Sequence, residues 1–412
     1  MVMNIDLYEP IVGVPVIGQL RRLGERLKGL RVVHVNSTAE GGGVAEILAW
    51  MVPLMTDLGL DARWRVITGT GDFFAVTKAF HNGLQGYPVV LKKRDWELYR
   101  AVNAENVKSL QGELEEADIV VIHDPQPAPL LELCPRRRGR WIWRCHIDAS
   151  HPFRAVWKGL KPFVERYDAS IFSMCQFAQL LPHSQYLIAP SIDPLSEKNV
   201  ELDNDELDAV RSQFDLKPDV PVLVQISRFD RFKDPVGVIQ AYRMVKKMTP
   251  VQLVLAGGGA TDDPEGKEIL DAVLEAAEGD PDIHVELLPA AAHRTVNALQ
   301  RIADIVVQKS TREGFGLTVT EGLWKGKPVI GGDAGGIRLQ VVDYHTGFLV
   351  MTPEGAANRI RFLLHHREQC RRMGETGREL VREYYLLTRH LREYLTLMYA
   401  LVGGKTEHTV MV

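Results

Sequence analysis

The feature that most constrains this chain is a recurrence of short, β-branched apolar runs separated by stretches with helical spacing. In the second half, residues 222–226, 251–256, 283–288, 305–307 and 329–330 are such runs. Runs apolar at nearly every position suit strands covered on both faces, and their alternation with helices predicts a parallel sheet in a doubly wound α/β domain. The first half repeats the theme at residues 31–36, 118–124, 141–148, 171–173 and 186–188. A chain of 412 residues, 45% hydrophobic and 25% charged, is long enough for two cores of about 200 residues each. The boundary is expected in the charged stretch around Asp203, Asp205, Glu206 and Asp208. This gives an N-terminal domain over residues 1–200, a linker over 201–218 and a C-terminal domain over 219–385. A terminal helix over 386–402, packing back on the first domain, and a tail over 403–412 complete the expected order.

Composition excludes several roles. A net charge of −4 offers no basic excess for nucleic acid or an anionic membrane. Cys134, Cys145, Cys175 and Cys370 form no CxxC pair, which fits a reducing cytoplasm better than a disulfide framework or a zinc knuckle. Asp6 and Glu9 stand where an export signal would be basic, and Pro15 interrupts the short apolar run 11–17, so neither export nor a membrane span is expected.

In a doubly wound sheet, ligands bind beyond the C-terminal ends of the strands, so residues there are the candidates. The run 305–307 leads into STREGFGLTVTEGLWKGKPVIGGDAGGI, residues 310–337, with Glu313 in a loop and Glu321 on a short helix, 317–324. Gly314 and Gly316 let backbone amides approach a phosphate or sugar, with Phe315 and Leu317 beside them. After the first strand, Gly41, Gly42 and Gly43 feed a helix in the manner of a phosphate-binding turn, although the pattern is neither GxGxxG nor GxxxxGK[ST]. The strand at 118–124 ends in His123-Asp124 before Pro125-Gln126-Pro127, and the strand at 141–148 ends in His146-Ile147-Asp148. Arg228 and Lys233 follow the first strand of the second half, a guanidinium and an ammonium suited to a diphosphate. Taken singly, these motifs also suit packing turns, solvated charges and structural histidines.

Together they resemble the retaining family-4 glycosyltransferases of GT-B fold. The strings HVNST, GGGVAEIL, FFAVTKAFHNGLQG, HDPQPAP, WIWRCHID, PSIDPLSEKN and REGFGLTVTE resemble, within that family, the trehalose glycosyltransferring synthases. The likeness runs from about Arg31 to Leu397 and implies two Rossmann-like domains facing a cleft, acceptor mainly on the first and nucleotide sugar on the second. The wider family often has an acidic residue after the Gly335-Gly336 pair; here Ile337-Arg338-Leu339-Gln340 stands instead, a departure that the trehalose synthases share.

The resemblance implies a role for each candidate. Arg228 and Lys233 hold the diphosphate; Gly42 and Gly43 meet the phosphates from the first domain; Glu321 accepts from the ribose hydroxyls; Glu313, with the backbone of Gly314, Phe315, Gly316 and Leu317, binds the donor glucose; His146 lies at the anomeric centre; Asp124 and Gln126 bind the acceptor. The implied partners are UDP-, ADP- or GDP-glucose, free glucose and trehalose, in a reversible reaction; a homodimer is one expected assembly. Retention is implied by the family. No carboxylate announces itself as a nucleophile, which favours front-face attack over double displacement. No metal or other cofactor is required by these residues, since Asp262-Asp263 and the His/Asp pairs lack ligand spacing; magnesium can accompany the nucleotide. Two rivals share many of these residues: a trehalose phosphorylase of the same fold, and a sugar-nucleotide sensor without catalysis.

Overall fold

A computed structural model describes residues 3–40, 42–258 and 264–403. Gly41, the Asp262-Asp263 pair and the tail beyond Gly403 lie outside the described residues. The chain divides into two units, one of residues up to Ser191 together with those from Leu387 onward, the other Ile192–Leu386.

Each unit is built on one six-stranded sheet whose pairings are all parallel. The first contains β1 (Arg31–Asn36), β2 (Asp61–Val66), β3 (Ile119–His123), β4 (Arg140–Arg144), β5 (Ala169–Phe172) and β6 (Ser184–Leu187), in the order β2-β1-β3-β4-β5-β6. The second contains β7 (Val222–Ile226), β8 (Gln252–Gly258), β9 (Ile283–Leu288), β10 (Ile305–Gln308), β11 (Val329–Gly332) and β12 (Gly347–Val350), ordered β12-β11-β10-β7-β8-β9. In both sheets the chain first runs outward to one side of the opening strand and then returns to its other side. The strand order therefore reverses between β1 and β3, and again between β7 and β10, where this architecture places ligands.

The central strands carry the apolar load expected of sheets covered on both faces. Along β4, Trp141 and Trp143 point to one face and Ile142 to the other, and all three are fully buried. In the second unit Leu223, Leu253, Leu255, Ile305, Val307, Ile330 and Phe348 pack with Val238, Tyr242 and Val245 of helix Pro235–Lys246, which starts with proline in its first turn and an Asp234 cap bonded to the Gly237 amide at 3.2 Å. Burial of each such side chain contributes about 1.5–3 kcal/mol.

The transition between units falls after Ser191, earlier than the charged stretch 201–218 suggests. That stretch contains helix Asn204–Gln213, begun by a reciprocal capping box between Asp203 and Glu206. Asn297 donates to the backbone oxygens of Glu197 and Val200, and Glu206 and Glu201 pair with Arg294 and Arg301, so the segment is bound into the second unit instead of hanging free as a linker. The terminal helix, Leu387–Val402, groups with the first unit. Among the described residues no helix is long and apolar enough to cross a membrane.

Candidate active site

In the first unit, β1, β3 and β4 bring their polar ends together. His34 Nδ1 lies 3.0 Å from His123 Nε2, and His123 Nδ1 lies 3.0 Å from His146 Nε2. The rings stack in sequence, with centroids 5.3 Å apart at each step. Burial disfavours the imidazolium form throughout: it pulls His34 down to about 3 and drives His123 and His146 well below the ordinary value, with the Arg144 cation adding to the effect on the latter two. Arg144 is itself fully buried; its Nη2 reaches Ser173 Oγ at 3.4 Å, while Nε and Nη1 have no partner among the described residues.

Asp124 turns the chain at the end of β3 in a left-handed conformation, φ 63°, uncommon for a residue with a side chain. Three bonds hold it there: its amide to Arg144 O at 2.8 Å, the Trp143 indole to its carbonyl at 3.0 Å, and the His146 amide to its Oδ1 at 2.7 Å. Burial pushes its carboxyl up to about 6, against the opposing pull of the His146 amide and Arg144. The two His/Asp pairs expected from sequence are thus not equivalent: Asp124 supports His146, whereas Asp148 accepts from the Ser150 amide and hydroxyl at 3.0 and 2.6 Å. Gln126, two residues beyond Asp124, has a buried side-chain oxygen without a donor among the described residues.

The glycine turn after β1 leads into helix Gly43–Asp57, whose first-turn amides receive no side-chain cap. Gly42 has an extended backbone, φ −158°, and a Cβ there would meet no atom within 4 Å. Nothing among the described residues therefore demands glycine at this position, whereas a ligand approaching the leading amides of the helix would.

In the second unit the loops after β7 and β10 meet. Lys233 Nζ donates to Glu313 Oε2 at 2.5 Å, and Ser310 Oγ donates to the same oxygen at 3.1 Å. Gln225 of β7 anchors the Lys233 carbonyl at 2.8 Å, and the Thr311 amide reaches Phe232 O at 2.8 Å. Arg228 stays exposed, 3.6 Å from Asp230. Gly316 adopts φ +84° in front of helix Leu317–Trp324, and a Cβ there would stand 3.2 Å from Glu313 Cγ. That helix also has no side-chain cap, so its leading amides are open to an anion. Phe315 buries its ring against Tyr385.

Glu321 lies deeper, 2% exposed, with Gln300 Nε2 3.3 Å from Oε2. Lys325, one turn on, donates to Asn199 Oδ1 at 3.0 Å and to the Glu321 carbonyl at 3.3 Å; burial lowers its pKa, opposed by Glu321. Gln340 gives the departure after Gly335-Gly336 a function: it donates to Phe315 O at 2.7 Å and accepts from Thr320 Oγ1 at 2.6 Å, fastening the glycine-rich loop to the helix it precedes. Sequence reasoning overlooked His34, Arg144, Ser310 and Gln340; for His34 and Arg144 the available signal was a polar residue inside an otherwise apolar strand. Among the described residues no group of three or more His, Cys, Asp or Glu side chains is arranged to hold a metal ion.

The matches to known families fall on these two sheets. Residues 34–179 match the family model described as "Trehalose synthase, N-terminal domain", and residues 208–380 match "Glycosyl transferases group 1". The trehalose synthase of Thermococcus litoralis is 46% identical over 400 residues, covering 96% of each chain. The chain belongs to the trehalose synthase family. It is a glycosyltransferase, and its paired parallel sheets are those of the GT-B fold. The trehalose phosphorylase of Grifola frondosa is more distant, 31% identical over 414 residues, covering 86% of this chain and 55% of that one. Among solved structures, an α,α-trehalose-phosphate synthase (UDP-forming) from Burkholderia vietnamiensis aligns with TM-score 0.70 at 14% identity, over 92% of this chain and all of that one. The trehalose synthase family thus places this chain in trehalose-related glycosyl transfer.

Proposed function

We propose that this enzyme transfers glucose from a nucleoside-diphosphate glucose to free glucose with retention, releasing nucleoside diphosphate and forming α,α-trehalose. The observation that carries the proposal is the Lys233–Glu313 pair at the β7/β10 reversal, which sets a cation for a diphosphate against a carboxylate for sugar hydroxyls. Arg228 is exposed beside it and free to grip phosphate oxygens bidentately.

In this reading the bond from the anomeric carbon to the diphosphate breaks as Arg228 and Lys233 stabilise the departing charge, each worth about 3–4 kcal/mol. The glucose hydroxyl attacks from the same face. Its proton passes to the leaving phosphate oxygen while its oxygen forms the new glycosidic bond. Glu313 and the backbone of Gly314, Phe315, Gly316 and Leu317 hold the donor glucose, and Glu321 serves the ribose. Gly42 and Gly43 present amides to the phosphates. His146 orients groups at the anomeric centre, and Asp124 and Gln126 hold the acceptor. No metal is required of the protein in this reading; magnesium can accompany the nucleotide as part of the substrate.

The test is incubation with UDP-, ADP- and GDP-glucose in turn, each with glucose, and chromatographic identification of products. Trehalose and a nucleoside diphosphate in equal amounts are expected. Glucose 1-phosphate released from trehalose by inorganic phosphate alone, without transfer from any of the three donors, would overturn the reading in favour of phosphorolysis.

A further inference from the structure

We propose that His34 and His123 are positioning residues forming a one-way chain of imidazole hydrogen bonds, His34 Nδ1–H to His123 Nε2 and His123 Nδ1–H to His146 Nε2, which holds His146 as the tautomer protonated on Nδ1. The kinetic part of this inference rests on the proposed placement of His146 at the anomeric centre; the chain itself does not.

The direction follows from the far end. Two neutral arrangements satisfy both 3.0 Å contacts. If protons run from His34 toward His146, His34 Nε2 is a bare lone pair; if they run the other way, His34 Nε2 is an N–H. That nitrogen is buried and has no hydrogen-bond partner among the described residues. A buried N–H without an acceptor is rarer than an acceptor without a donor. That asymmetry favours the lone pair at His34 Nε2 and therefore a proton on Nδ1 of each ring.

The surroundings keep all three rings neutral. Arg144 lies among them as a buried cation, and His390, on helix Leu387–Val402 with its Nδ1 2.8 Å from Ser191 Oγ, faces the same cluster. Asp124, which follows β3, accepts from the His146 amide through Oδ1. With Nε2 occupied by the His123 donor, His146 cannot accept a proton there. It offers Nδ1–H, a fixed donor, to an oxygen of the substrate. That assignment agrees with a reaction in which the leaving phosphate, not a side chain, takes the acceptor's proton.

The test uses the full-length enzyme labelled with 15N-histidine. Long-range 1H–15N spectra near pH 7 are expected to show His34, His123 and His146 neutral and protonated on Nδ1. A charged ring, or any of the three protonated on Nε2 alone, overturns the chain. In His123→Leu, which removes the donor, His146 is expected to become a tautomer mixture and kcat to fall by about tenfold or more, with both KM values within about threefold. His123→Asn places an amide N–H near the former Nδ1 and is expected to restore the His146 tautomer and most of the turnover. An unchanged His146 tautomer in His123→Leu overturns the positioning role. A shifted tautomer with unchanged turnover keeps the chain and overturns the placement of His146 at the reacting centre.

Discussion

Lys233 and Glu313 stand 80 residues apart in sequence and share a hydrogen bond of 2.5 Å, joining the loops after β7 and β10. Their side chains are 19% and 10% exposed, so each charge is largely removed from water and supported by the other. One pair thus serves two ends, a fixed loop geometry and a polarised site.

Lys233→Ala and Arg228→Ala are each expected to lower kcat/KM about 100-fold, because each removes a charged donor to the leaving group. Their stabilities should differ. Arg228 has a 59% exposed side chain and its loss should shift unfolding by no more than about 0.5 kcal/mol, whereas Lys233→Ala leaves a buried Glu313 without its cation and should cost about 1–3 kcal/mol. Steady-state kinetics and urea unfolding on both variants check this; equal stability losses would remove the pair from the account.

Gly42→Ala separates a ligand's need for glycine from the fold's. With an extended backbone and open space around the added Cβ, its stability should match that of the parent chain. If backbone amides there meet the phosphates, affinity for the nucleoside diphosphate should drop about tenfold in calorimetry, about 1.4 kcal/mol. Gly316→Ala is the contrast: at φ +84° it should cost about 1–2 kcal/mol of stability before any ligand is added.

Asp124 gives a pH dependence of unusual sign. Its carboxyl is pushed up to about 6 in the folded chain from 3.8, so between those values the native state binds more protons than the unfolded one. Wild-type stability therefore falls as pH rises through this window, and the loss is complete above it. Asp124→Asn has no charge to desolvate and keeps an oxygen for the His146 amide. Its stability relative to wild type should rise by up to roughly 3 kcal/mol between pH 4 and pH 7. Unfolding curves at several pH values that give a constant difference would contradict this.

Because Asp124 also holds the His146 amide, Asp124→Ala is expected to raise the glucose KM strongly and to lower kcat as well, with nucleotide affinity within about threefold. His146→Ala should lower kcat with both substrates saturating and leave the glucose KM near its original value. Paired titrations in glucose and in donor distinguish the two; an unchanged glucose dependence in Asp124→Ala would move the acceptor site elsewhere.

The repeated apolar runs made the central strands readable, since a strand buried on both faces has no other pattern to show. The edges were harder. β2, Asp61–Val66, reads DARWRV, and Arg63 and Arg65 both turn to Glu113, so no apolar run announced it. His123 and His146 could be placed at strand tips from sequence. Their bond could not, because it depends on the stagger that sets His123 opposite Arg144 and His34 opposite Val121. The Lys233–Glu313 contact likewise depends on which strands are neighbours, and β10 beside β7 is a choice that no local pattern encodes. Glu321 illustrates the limit in the other direction: its spacing from Glu313 was plain, while its burial against Gln300 required the packed helix.

The most direct test of glucose transfer to glucose is NMR of the enzyme with nucleoside-diphosphate glucose labelled with 13C at the anomeric carbon, plus unlabelled glucose. The label is expected to leave the nucleotide-linked α position and to appear at one anomeric carbon of α,α-trehalose, with no glucose 1-phosphate at any time. Label collecting in an α,β-linked disaccharide, or moving only when inorganic phosphate is supplied, would contradict it.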